Sequence, residues 1–101
     1  MTKDETLSKW ADMSPADRDK WITEEIAHTT APYSTDLTAA HALIDAMVQR
    51  RCIISVCHNP DANIHCNIWG ADKPVQVVRG AGETVPEAVG LAALLYVGTY
   101  A

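Results

Sequence analysis

The chain has 101 residues, which is enough for one hydrophobic core and too little for two. With 48% hydrophobic and 21% charged residues it is composed to fold, not to remain disordered. Its net charge of −5, from 13 acidic and 8 basic side chains, repels phosphate backbones, so direct nucleic-acid binding is not expected.

No apolar run approaches the roughly 18 to 20 residues that span a bilayer, and Met1 to Glu5 lack an apolar signal segment. The expectation is a cytoplasmic protein without membrane contact. Cys52, Cys57 and Cys66 are odd in number and fit reduced thiols better than a disulfide framework.

Residues 3–12 suggest a short helix with Leu7, Trp10 and Ala11 on one side, ended before Pro15. A stronger start follows: Ser14 as N-cap, Pro15 at the first helical position and Asp17 three residues after the cap predict a helix over 15–28, with Trp21, Ile22 and Ile26 as its apolar stripe. Pro32 breaks that run. A further helix begins at Ser34 or Asp36, where Leu37, Ala40, Leu43, Ile44, Met47 and Val48 recur at helical spacing and Arg50 and Arg51 suit the negative end of the dipole.

Residues 52–58 and 64–69 are two strand-like runs around a loop at 59–63 that is rich in turn formers. A symmetric loop pairs Val56 with Cys66, Ile54 with Ile68 and Cys57 with His65. The pleat then puts Cys52, Ile54, Val56, Cys66 and Ile68 on an apolar face. Ser55, Cys57, His65 and Asn67 fall on a polar one, with Ile53 and Trp69 at its end. After a turn at 70–74, Val75 to Arg79 reads as a third strand reaching toward Glu83, weakened at its end by Gly80 and Gly82. Thr84 and Glu87 frame a capping box with Pro86 in the first turn, and the helix they open is apolar nearly all round, with Gly98 as its expected stop.

The predicted class is α+β: a three-stranded antiparallel sheet with helices before and after it, in the order α-α-β-β-β-α. The expected core is Trp21, Ile26, Leu37, Ala40, Ile44, Met47, Ile54, Val56, Ile68, Val77, Val89, Ala92 and Leu95.

Candidate chemistry is sparse. Cys57 opposite His65 pairs a nucleophile with a base, but a catalytic site also needs an orienting group and an oxyanion site, and neither is visible in the pattern. A zinc site needs four converging ligands, whereas neighbouring strand residues diverge, so at most Cys57 and His65 share a metal. Gly80-Ala81-Gly82 lacks the remainder of any phosphate-binding fingerprint. His28 and His41 read as helix residues without a ligand role. The reading is therefore non-enzymatic, with neither cofactor nor metal. Residues 1–25 hold seven acidic against four basic side chains, a local net charge of −3. Trp10, Asp12, Asp17, Asp19, Glu24 and Glu25 combine steering charge with an aromatic anchor, so the partner-binding surface is placed there, with Trp69 on the sheet as a second anchor.

Pro32 to Ala40, containing Tyr33-Ser34-Thr35-Asp36, and Thr84 to Leu95, containing Pro86-Glu87-Ala88, resemble the phage ABA-sandwich family of small bacteriophage and prophage proteins. The resemblance covers roughly residues 24–98 of a single domain, with residues 1–23 as an N-terminal helical addition. It implies an α-β-β-β-α core, similar in topology to the double-stranded-RNA-binding domain. The stretch from Gly80 to Glu87 has no lysine, however, where that domain grips phosphates. The implied function is that of a phage accessory protein in an infected bacterial cell, binding and inhibiting a host protein through a basic patch on that partner, as an anti-CRISPR inhibitor would. A homodimer is allowed. The alternatives are a sequestering protein for a small signalling nucleotide, or a metal-binding or thiol module built on Cys57 and His65.

Overall fold

The computed structural model describes residues 1–60 and 63–100, so Asp61 and Ala62 of the expected loop lie outside the described residues. Two short helices open the chain. In α1 (Lys3–Asp12), Thr2 Oγ1 accepts from the Glu5 N–H at 3.2 Å while Glu5 Oε1 accepts from the Thr2 N–H at 3.0 Å. This reciprocal box satisfies two donors that the first turn would otherwise leave open, and it lets so short a helix form. The two bonds from Thr2 hold the Glu5 carboxyl below its ordinary value.

α2 (Pro15–Ile22) starts where expected, with Ser14 Oγ accepting from the Asp17 N–H at 3.2 Å. Its continuation is not α-helical: Thr23–Ala27 forms a π turn, closed by the His28 N–H donating to the Thr23 carbonyl at 2.8 Å. His28 itself sits in the left-handed region at φ 60° and ends the element. α3 (Leu37–Gln49) is capped by Asp36, whose Oδ2 accepts from the Ala39 N–H at 2.8 Å. It buries Ala39, Ala40, Leu43 and Met47. Leu37, expected in the core, is instead 52% exposed. As the first helical residue it lies before the turn that meets the rest of the protein.

Strands β1 (Cys52–His58), β2 (Ile64–Gly70) and β3 (Lys73–Gly82) form an antiparallel meander in the order β1-β2-β3, so the chain is an α+β protein with helices before and after one sheet. The β1–β2 register matches the symmetric loop, with Val56 opposite Cys66, Ile54 opposite Ile68 and Cys57 opposite His65. Cys52, Cys66 and Ile68 are buried beneath the helices, and Ile54 and Val56 are half-buried beside them.

β3 departs from expectation by one face. Gly70 pairs with Lys73, yet Trp69 pairs with Val77, so Pro74, Val75 and Gln76 form an irregularity with no partners of their own in β2. A tight turn would have put Val77 inward. Three extra residues reverse the parity, so Val78 is buried opposite Ile68 and Val77 is 50% exposed.

α4 (Val85–Tyr100) continues past Gly98, the expected stop, and Ala88 to Leu95 are all buried. One side of α4 lies against β3 so closely that a Cβ on Gly80 would sit 2.5 Å from the Ala92 nitrogen and 2.6 Å from the Ala88 oxygen. Gly80 is therefore a contact surface. On the other side, a Cβ on Gly90 would lie 3.0 Å from both the Ile22 Cδ1 and the Trp10 Cη2 atoms. Residues 1–23 thus share the same core through Trp10, Trp21 and Ile22.

Two glycines of the same protein should respond with opposite sign. Gly80→Ala should lower the melting temperature by several degrees, since overpacking against backbone costs about 1–3 kcal/mol. Gly98→Ala, whose nearest neighbour is the Thr6 Oγ1 atom at 3.8 Å, should raise it by relieving up to about 1 kcal/mol of helix entropy. Differential scanning calorimetry measures both. A depressed Glu5 pKa stabilises above the unfolded value and is lost as pH falls through the folded one, so acidification through the carboxylate range should fray α1, read by helical circular dichroism and Trp10 fluorescence.

Candidate functional site

Helices α3 and α4 cover only one face of the sheet. The odd-numbered residues of β1 and β2, and those of β3 from Val77 onward, point the other way, and none of them is buried. They form three rows across the strands. Ile53, Trp69 and Val77 make an apolar row, Ser55, Asn67 and Arg79 a polar row, and Cys57, His65 and Ala81 a mixed one. Arg79 Nε donates to Asn67 Oδ1 at 2.9 Å, and its other guanidinium N–H groups have no hydrogen-bond partner among the described residues. Ile53 is 43% exposed, and Val75, in the irregular stretch of β3, is 86% exposed. No outward position of these rows carries a carboxylate.

The acidic N-terminal surface is only partly as expected. Asp12, Asp17, Glu24 and Glu25 are exposed. Trp10, expected as the aromatic anchor among them, is buried against α4, with Arg18 stacked 4.5 Å from its ring and donating to its carbonyl at 3.0 Å. It cannot anchor a partner. Lys9 similarly covers Trp21, 4.1 Å from its ring. Asp19, also expected on the partner surface, is half-buried and serves the fold: its Oδ1 accepts from the Ser34 N–H at 2.8 Å. Ser34 in turn donates to the Pro15 carbonyl at 3.3 Å, and the Tyr33 hydroxyl donates to the Thr29 carbonyl. The segment Tyr33 to Asp36 is thus a clasp joining α2 to α3. Burial, with the Asp19 charge second, pushes the Tyr33 hydroxyl pKa up.

Around Cys57 the structure supplies a partner that the pattern did not reveal. Asn59 Nδ2 lies 3.1 Å from His65 Nδ1. An amide donating into Nδ1 engages that lone pair and puts the ring proton of the neutral form on Nε2. Cys57 Sγ instead lies 3.7 Å from Ser55 Oγ, along its own strand. This geometry gives no support to a nucleophile–base pair. Cys57 and Cys66 occupy opposite faces, and among the described residues no three metal-ligating side chains converge. Burial pushes the Cys66 thiol up to about 12 and also raises that of Cys52. Nor is any helix among the described residues long and apolar enough to cross a membrane.

The arrangement defines a class: an α+β domain whose three-stranded sheet carries helices on one face and, on the other, outward rows without a carboxylate. No family model, curated protein or solved structure matches this chain.

The thiols should report this geometry directly. In the native protein at neutral pH, a soluble alkylating reagent should modify Cys57 alone, because reactivity follows thiolate fraction and access. All three should react after denaturation, as counted by intact mass spectrometry.

Proposed function

We propose that this chain is a non-enzymatic binding protein that docks a partner protein on its open sheet face. The observation that supports this is the apolar row Ile53, Trp69 and Val77, which crosses all three strands with Ile53 and Val77 exposed and Trp69 half-buried between them. An aromatic residue flanked by aliphatic ones, rimmed by polar side chains, has the composition of an interface hot spot. Arg79 and His65 beside the row, with no carboxylate among them, suit a partner with an apolar centre and an acidic rim. The resemblance of the Tyr33 and Pro86 segments to phage ABA-sandwich proteins supports a phage setting, and with it a host protein as the target of inhibition, in the manner of an anti-CRISPR protein.

A second reading places the partner on the acidic helical surface. It is favoured by Asp12, Asp17, Glu24 and Glu25, which are exposed and, among the described residues, pair with no cation. A basic patch is the complement such a surface would take.

Two variants separate these readings. Ile53→Ser with Val77→Lys alters the sheet face at half-exposed positions, where stability changes little. Asp12, Asp17, Glu24 and Glu25, each changed to Lys, reverse the acidic surface. The wild-type chain, immobilised and exposed to bacterial lysate, should retain a defined protein that the acid-reversed variant also retains and the sheet variant loses. Loss in the acid-reversed variant alone would overturn docking on the sheet.

A further inference from the structure

At the end of the sheet where β1 begins, β2 ends and β3 begins, a cleft of about 260 Å³ is lined by Arg50, Arg51, Asp72, Lys73, Gln76 and Tyr96. Three of the eight basic residues of a protein with net charge −5 meet here. One carboxylate enters, and it is engaged: Asp72 accepts from Arg51 Nε at 3.1 Å and from Nη2 at 3.4 Å. Arg50 and Lys73 have no carboxylate partner among the described residues. Tyr96 adds a hydroxyl beside Gly70, and burial, together with its hydrogen bond to the Cys52 side chain, raises its pKa.

The backbone at Arg51 shows that this cluster is not incidental. Arg51 follows the C-cap of α3 at φ 63°, in the left-handed region that glycine occupies without strain. Its N–H donates to the Val48 carbonyl at 2.9 Å and its carbonyl accepts from the Ala71 N–H at 2.9 Å, so the backbone is held there by both loops. Glycine would serve this turn better. The Arg51–Asp72 pair does not repay the strain, because both side chains are 72% exposed and ion pairs so solvated contribute little. The end of α3 does favour a cation, but that effect decays within one turn and Arg50 already supplies it. Stability alone therefore does not select arginine at position 51, and the side chain has another use.

We infer that this cleft binds a phosphoryl group. Cationic groups on Arg50, Arg51 and Lys73, with neutral donors on Gln76 and Tyr96, match a dianion with several acceptor oxygens better than they match a single carboxylate. The volume lies below that of sites enclosing drug-sized ligands, so it holds the phosphoryl group and leaves whatever bears it outside. The site is distinct from the outward rows of the sheet, and its occupancy does not depend on the proposed docking.

Titration of the full chain with inorganic phosphate and, separately, with adenosine monophosphate tests this by amide chemical shifts at constant ionic strength. Saturable shifts confined to the segments around Arg50, Lys73 and Tyr96 are expected, with adenosine and chloride inert. Tighter binding of the nucleotide would identify a phosphorylated metabolite as the source, and equal binding would identify the free anion. Arg50→Gln with Lys73→Gln should weaken binding by about tenfold or more. Arg51→Gly should weaken it while leaving the melting temperature unchanged or higher, a combination that a merely structural arginine would not produce. Absence of saturation below about 10 mM phosphate, or undiminished binding in both variants, would overturn the proposal.

Discussion

Everything in this protein is arranged around a helix that has no polar side. α4 is apolar on almost every flank, so it is stable only if something covers each of them. The sheet covers one flank and the N-terminal helices another, and both approach closely: Gly80 and Gly82 of β3 leave no room for a Cβ against α4, and a Cβ on Gly90 would crowd Trp10 and Ile22. Small residues along α4 replace side-chain interdigitation with near-contact of backbones. Packing of that kind gains many dispersion contacts per residue and leaves little tolerance for added volume.

This arrangement also decides what remains on the surface. Covering α4 consumes one face of a three-stranded sheet, and with no further layer the other face stays open. It likewise draws Trp10 and Trp21 inward and stations Arg18 and Lys9 over their rings. Two of the four cations of the N-terminal region are thereby committed to aromatic partners, and the carboxylates of Asp12, Asp17, Glu24 and Glu25 face solvent. Charge is unevenly spread as a result: a net acidic helical layer, with Arg50, Arg51, Lys73 and Arg79 on the sheet and at its end. A molecule polarised in this way presents two surfaces of different chemistry to different kinds of ligand.

Much of the secondary structure was legible because its signals are local. Caps depend on residues three apart, and Ser14, Asp36 and Thr84 act where the pattern placed them, Thr84 Oγ1 accepting from the Glu87 N–H at 3.3 Å. The Thr2–Glu5 box at the first helix was equally visible and would have strengthened that assignment. Pairing of β1 with β2 followed from a symmetric loop and a period of two, which together leave only one way to bury Cys66 and Ile68.

The sequence by itself determined the α+β order, the hairpin register and an open polar face bearing Ser55, Cys57, His65 and Asn67, since each is encoded within a few residues of chain. Tertiary structure alone decided the parity of β3, where an irregularity at Pro74 to Gln76 exchanged Val77 for Val78. It alone decided the burial of Trp10, which depends on a glycine 80 residues away, the use of Asp19 as a clasp for Ser34, and the meeting of Asn59 with His65. The cleft at Arg50, Arg51 and Lys73 belongs to the same group, because it forms where three strand ends converge and a left-handed turn aims the guanidinium outward. Contacts between distant segments depend on the shape into which the whole chain closes, and no local periodicity carries that information.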